Sequence, residues 1–325
     1  MSARRHVHVL FTGGTISMRI DPDTGAAVPA LSGGEIVARV QGLRKEARLT
    51  LEDYARLPGP HVTVPWMWRL RERVAEVLAD PGVDGVVVTH GTDTLEETAF
   101  LLDLTLESEK PVVFCGAMRT VSEPGWDGPA NLMSAVRAAV HPAARGRGVL
   151  VTVGEQVHAA SEATKWHTQS LGAFRSPHGP IGVLDRGQVV FHRPPFRRMA
   201  IRASRLQDGV DLHTMAAGTD DALLRASLRR GARGLVLEGT GCGNVPPAVV
   251  PGIRAALRTR VPVVLSSRCP EGRLAPAYGY EGGGQMLRAL GVVYAQELPG
   301  PKARIKLMVA LGAVSTLADV RRLFE

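Results

Sequence analysis

The feature that most constrains the fold is a rhythm in which strand-length apolar runs alternate with stretches of helical period. Val83–Thr89 reads as a continuous apolar strand, the kind covered on both faces in a parallel sheet. Just before it, Leu70, Val74, Val77 and Leu78 lie at i, i+4, i+7 and i+8 on one helical face. Strands at Val7–Phe11, Val112–Cys115 and Gly148–Val153, with helices at Leu95–Leu106 and Asn131–Val140, continue the alternation. A polar loop is expected between the first strand and the first helix. Such alternation predicts right-handed βαβ units and a doubly wound, mostly parallel α/β sheet.

The rhythm breaks between Phe191 and His213, where Pro194-Pro195 and a basic cluster with Arg197-Arg198 occur. Beyond it the alternation resumes, with strands at Gly234–Glu238 and Val261–Ser267 and helices near Ala248–Arg258, Gln285–Leu290 and Lys302–Leu311. The expected organisation is therefore a large N-terminal α/β domain over 1–192, a linker over 193–213 and a smaller α/β domain over 214–325. A chain of 325 residues exceeds what one core usually supports.

Composition excludes several classes. No stretch approaches the ~18 consecutive apolar residues of a membrane span. The start, Met1-Ser-Ala-Arg-Arg-His, lacks the apolar core and cleavage site of a secretory leader, so a cytoplasmic location is expected. The formal charge of +8 comes mostly from scattered arginines, without the basic run and interleaved aromatics of a nucleic-acid face. Cys115, Cys242 and Cys269 are too far apart in sequence for metal-ligand spacing and read as buried free thiols.

Two short segments can carry chemistry. Thr12-Gly13-Gly14-Thr15 follows the first strand, at the sheet edge where ligands bind in open α/β folds. A hydroxyl there becomes a nucleophile if a partner removes its proton. His90-Gly91-Thr92-Asp93-Thr94 holds the same place after Val83–Thr89, and Thr94 with Glu97 has capping-box spacing. Thr92 and Asp93 would then sit at a helix N-terminus, whose outward N–H groups favour developing negative charge. Asp93 could equally serve as a plain N-cap, and His90 reads as structural. Lys165, in an irregular segment, matters only if it reaches Asp93. Gly239-Thr-Gly241-Cys-Gly243-Asn244 is no dinucleotide fingerprint, because Asn244 stands where the third glycine belongs.

Thr12-Gly-Gly-Thr15-Ile16 and Thr89-His-Gly-Thr92-Asp93-Thr94-Leu-Glu-Glu97-Thr98 resemble the two signatures of bacterial-type L-asparaginases. Pro111–Arg119, Ala163-Thr-Lys165, Ser266-Ser267-Arg268 and Pro301-Lys-Ala-Arg304 are similar to further family stretches. The resemblance covers nearly the whole chain in order. It implies hydrolysis of the side-chain amide of L-asparagine to L-aspartate and ammonia, with no cofactor or metal. A homodimer or homotetramer with sites at the subunit interface is also implied. By resemblance Thr15 matches the primary nucleophile, which forms an acyl-enzyme ester. Thr92, Asp93 and Lys165 match a hydroxyl–carboxylate–ammonium set in which Asp93 also holds the substrate α-amino group. Gly14, Gly59, Pro60, His61, Gly91 and Asp93 match substrate-binding positions, and Asn244 one supplied by the neighbouring subunit.

Two positions depart from the family pattern. No tyrosine occurs between Ile16 and Leu31, where many members carry one on a mobile loop; Pro22-Asp-Thr-Gly25 still reads as a mobile turn. Gly59, in Leu57-Pro58-Gly59-Pro60-His61, replaces the serine that grips the substrate carboxylate. The competing expectations are glutaminase or mixed asparaginase–glutaminase activity, an amidotransferase subunit serving a tRNA-linked reaction, and a non-catalytic amino-acid binding protein on the same scaffold.

Overall fold

The computed structural model describes residues 4–196 and 198–325. The expectations touching Met1–Ala3 and Arg197 lie outside those residues. Two compact units are present, one up to Ala200 and one from Ile201.

The first unit is built on an eight-stranded sheet. Its strands are β1 (His6–Gly13), β2 (Arg48–Leu57), β3 (Gly85–Thr89), β4 (Val112–Cys115), β5 (Val149–Val153), β6 (Gln156–Ala159), β7 (Gly182–Asp185) and β8 (Gln188–Phe191). They lie in the order β8-β7-β6-β5-β4-β3-β1-β2. The five strands from β5 to β2 run parallel, whereas β6, β7 and β8 pair antiparallel. Helices α1 (Val64–Ala79), α2 (Leu95–Thr105) and α3 (Gly128–Val140) make the crossovers from β2 to β3, β3 to β4 and β4 to β5, while the short helical segments Gly33–Ala38 and Leu43–Glu46 lie between β1 and β2. Every residue of β3, β4 and β5 is buried, which explains their wholly apolar reading. Fully burying one such valine or leucine side chain contributes about 1.5–3 kcal/mol.

Strand β2 falls in the stretch expected to be a polar loop. Its Arg48, Glu52, Asp53 and Arg56 break the apolar pattern, and as an edge strand it is largely half-exposed. Its placement matters for function. The chain leaves β1 for β2 on one side and then crosses to β3 on the other, so the strand order reverses between β1 and β3. Ligands bind at such a switch point, beyond the carboxyl ends of the strands. The segment after β1 also folds further than expected. Met18–Ile20 and Ala27–Pro29 pair as a hairpin, with the Asp21 carboxylate accepting from Asp23 N, Thr24 N and Thr24 Oγ1 at its tip. Those hydrogen bonds hold the Asp21 carboxyl below its usual range.

The second unit carries a four-stranded parallel sheet of β9 (Val210–Thr214), β10 (Gly234–Gly239), β11 (Val263–Ser267) and β12 (Val293–Tyr294) in that order. Residues 210–213, expected to close the linker, instead form most of β9, because Val210–Thr214 pairs in register with Gly234–Glu238. Helices α4 (Ala222–Arg229), α5 (Val250–Arg258), α6 (Gly284–Leu290), α7 (Gly300–Ala313) and α8 (Leu317–Phe324) accompany this sheet. Of the three cysteines only Cys115 is buried; Cys242 is half-buried and Cys269 exposed, which corrects the reading of all three as buried. Burial pushes the Cys115 thiol up to about 12. Among the described residues no helix is long and apolar enough to cross a membrane.

Candidate active site

The turns after β1 and β3 meet backbone to backbone. A methyl group placed on Gly14 would stand 2.5 Å from the Cα of Gly91, and one on Gly91 would stand 2.7 Å from the Cα of Gly59. Three glycines from the ends of β1, β2 and β3 are thus stacked, and neither Gly14 nor Gly91 has room for a side chain. Gly14 also has φ of 79°, a left-handed conformation that favours glycine. Below this stack the Thr12 hydroxyl donates to the Thr89 carbonyl at 2.6 Å, tying the two strand ends together.

Thr15 emerges from the first turn at the start of a single helical turn, Thr15–Ser17. It is half-buried, and its hydroxyl makes no hydrogen bond to a described residue. Thr92 and Asp93 follow Gly91 in the second turn, two and one residues before the N-cap of α2. The expected capping box does not form. The Thr94 hydroxyl donates instead to the Gly59 carbonyl at 2.9 Å, binding the second turn to the third. Pro60 and His61 complete that third turn and are exposed, while Gly59 is buried.

Lys165 lies on a two-residue strand, Thr164–Lys165, that pairs antiparallel with Phe174–Arg175; its segment is more regular than its sequence suggests. Its Nζ donates to Thr92 Oγ1 at 2.9 Å and to Asp93 Oδ1 at 2.5 Å. Since an ammonium only donates, Thr92 Oγ1 accepts this bond and keeps its own hydrogen to offer elsewhere. The Lys165 side chain is 14% exposed and that of Asp93 58% exposed, and Asp93 Oδ2 accepts no hydrogen bond from a described residue. Asn244 belongs to the second unit, where its Oδ1 accepts from Gly284 N at 3.2 Å.

His90 has a more specific place than its reading as structural implied. Its Nδ1 lies 2.8 Å from the Gly91 carbonyl, which can only accept, so Nδ1 carries the proton. The ring packs near Trp66 and Phe114 at 5.8 and 6.0 Å between centroids. Burial drives its pKa down to about 4, and the histidine is neutral at physiological pH. Because a peptide is planar and trans, drawing the Gly91 carbonyl toward the core turns the Thr92 N–H to the opposite side. Among the described residues no cluster of three or more metal-ligating side chains is present.

Known proteins share this arrangement's scaffold. The family model for the asparaginase N-terminal domain matches residues 6–197, and that for the glutaminase/asparaginase C-terminal domain matches residues 209–324. The chain belongs to the asparaginase family. A probable L-asparaginase of Deinococcus radiodurans is 40% identical over 97% of this chain and 96% of its own length. A glutaminase-asparaginase of Pseudomonas fluorescens is 31% identical over 98% of this chain and 90% of its own. The crystal structure of a probable cytoplasmic L-asparaginase from Campylobacter jejuni superposes with a TM-score of 0.91 at 30% identity, covering 99% of both chains. For this asparaginase-family chain, the residues that sequence reasoning overlooked are Gly116, whose backbone abuts Thr92, and the strand β2 that brings Gly59 to the site. A glycine at a strand end carries no pattern by which sequence alone could reveal such contact.

Proposed function

We propose that the chain is an L-asparaginase, hydrolysing the side-chain amide of L-asparagine to L-aspartate and ammonia through a threonine acyl-enzyme. The observation that carries this reading is the Lys165 ammonium shared between Thr92 Oγ1 and Asp93 Oδ1. Thr15 Oγ attacks the amide carbonyl carbon and forms a tetrahedral oxyanion. The Thr92 N–H, turned toward the site by His90, stabilises that charge; one such donor is typically worth ~2.7–4 kcal/mol. The hydrogen given up by the Thr15 hydroxyl passes to the amide nitrogen, the carbon–nitrogen bond breaks, ammonia leaves, and Thr15 holds the acyl group as an ester. Water attacks the ester, its proton is relayed through Thr92 Oγ1, which the Lys165 ammonium holds in place, to Thr15 Oγ, and the ester bond breaks to release aspartate. The open Asp93 Oδ2 binds the substrate ammonium. Gly14, Gly59, Pro60, His61 and Gly91 line the rest of the substrate; the N–H groups of Gly59 and Gly91 serve its carboxylate, since those of Gly14 and His61 donate to the Leu57 and Pro58 carbonyls and proline has none. Asn244 from a neighbouring subunit completes the site in a homodimer or homotetramer.

The test is ammonia release from L-asparagine by the wild type and by Thr15→Ala and Thr92→Ala. Each substitution is expected to remove nearly all of it; full activity in either would sink the assignment. Glutaminase activity is the second reading, favoured by the similarity to the Pseudomonas glutaminase-asparaginase. Glutamine is one methylene longer, a difference worth only ~1–3 kcal/mol in an apolar pocket, so the rate ratio on the two amides decides. Calorimetry showing asparagine binding without turnover would point to a binding protein instead.

A further inference from the structure

Asp127, at the N-cap position of α3, makes no cap hydrogen bond to its own helix. Its carboxylate reaches across to the turn after β4, accepting from Met118 N at 3.1 and 3.0 Å and from Arg119 N at 2.9 Å. One turn along, Asn131 donates through Nδ2 to Asp127 Oδ2 at 2.9 Å and to the Gly116 carbonyl at 2.9 Å. Its Oδ1 accepts from Gly154 N, just beyond β5, at 3.1 Å. The amide orientation is unambiguous, since two partners only accept and the third only donates. Asp127 is 9% exposed and Asn131 3%. Two buried side chains of one helix thus hold both sides of Ala117 and tie the end of β4 to the end of β5.

The held backbone bears on the proposed chemistry. A methyl group on Gly116 would stand 2.6 Å from the His90 carbonyl oxygen and 3.0 Å from Thr92 Cγ2. The Gly116 backbone is therefore the wall against which the Thr92 methyl rests. A threonine has only three staggered χ1 positions, so lodging the methyl fixes where the hydroxyl goes. Here it goes to Lys165. The geometry points to Asp127 and Asn131 as positioning residues: through Gly116 they select the Thr92 rotamer that delivers Oγ1 to Lys165. This role rests on the reading of Thr92 as part of the amidohydrolase machinery.

The experiment is a double-mutant cycle on asparagine hydrolysis. Asn131→Leu keeps the branched shape of the side chain and removes its hydrogen bonds to both strand ends; Thr92→Ser keeps the hydroxyl and removes the methyl that Gly116 holds. Asn131→Leu is expected to lower kcat tenfold or more with KM within about twofold. In the Thr92→Ser background the same substitution should cost less than threefold, because there is no methyl left to hold; coupled residues are non-additive in this way. Ser134→Ala, on the same helix, where the Ser134 hydroxyl bonds, among the described residues, to the Ala130 carbonyl alone, should leave kcat unchanged. Equal losses in both backgrounds, or an unchanged kcat in Asn131→Leu, would overturn the positioning role. If Asn131→Leu does not fold, Asp127→Asn enters the cycle in its place with the same expectations. A wild type without activity would overturn the reading of the reaction, and this role with it, whereas an active wild type with an additive cycle overturns this role alone.

Discussion

Single residues divide here into those whose neighbours could be foreseen and those whose neighbours could not. Thr92 and Asp93 are adjacent in sequence, so their common location follows from the chain itself. The approach of Lys165, 72 residues from Asp93, required the fold. Gly59 is open to a direct test. A Cβ there would meet Asp93 Cβ at 3.3 Å and no atom closer, so Gly59→Ser fits with a shift of a few tenths of an ångström. The new hydroxyl would add a hydrogen bond to a charged group, typically ~1.5–3 kcal/mol. Steady-state kinetics should show KM for asparagine lowered about tenfold or more, and an unchanged KM would show that the carboxylate binds elsewhere.

His90 yields a prediction in pH. Its pKa is about 4 in the fold, against about 6.5 when unfolded. Below 6.5 the unfolded chain takes up a proton that the folded chain refuses, so stability is lost as pH falls from 6.5 toward 4. The difference amounts to ~3 kcal/mol at pH 4. Urea unfolding at pH 7 and pH 4 should therefore show a larger loss for the wild type than for His90→Phe, by about that amount. Equal losses would mean the imidazole is not buried neutral.

At the scale of elements, legibility followed burial. Strands β3, β4 and β5 and helix α2 are closed to solvent on nearly all sides, so their sequences are apolar enough to announce them. Strand β2 is an edge strand whose apolar alternation, Leu49 and Leu51 packed on the core, is cut short by Glu52 and Asp53, and the hairpin after β1 is mostly exposed; neither carries a period long enough to announce a strand. Helices α4 and α8 were not foreseen either; each buries only two side chains. The glycine stack is the elements' point of contact, and it can be broken locally. Gly91→Ala puts a methyl 2.7 Å from the Gly59 backbone, which must shift the turns that carry Thr92 and Gly59. Overpacking of this kind typically costs ~1–3 kcal/mol. A melting temperature lower by several degrees and loss of most activity are expected. Gly172→Ala, where a methyl would meet nothing within 4 Å, serves as the neutral comparison in the same thermal melt.

For the whole molecule, the two-unit organisation was visible as an interruption of the α/β rhythm, yet the last residues of that interruption belong to β9. Whether Asn244 acts across subunits can be decided by mixing. In a two-fold symmetric pair each site would take Thr15 from one chain and Asn244 from the other. Thr15→Ala and Asn244→Ala, each strongly impaired alone, should regain on mixing and reassembly roughly a quarter of wild-type activity, one intact site in half of the dimers. No recovery, in a mixture shown by native mass spectrometry to contain hybrids, would assign Asn244 to its own chain's site or to none.

The amino-acid order was sufficient to establish the α/β class, the parallel core strands and the two threonine-bearing turns, because each depends on local composition, periodicity or spacing along the chain. The meeting of those turns at a reversal of strand order, the reach of Lys165 and the clamp from Asp127 and Asn131 to Gly116 depended on long-range pairing. They arise from which strand lies beside which, and that is settled by a half-exposed edge strand and by glycines whose significance is the space they leave empty.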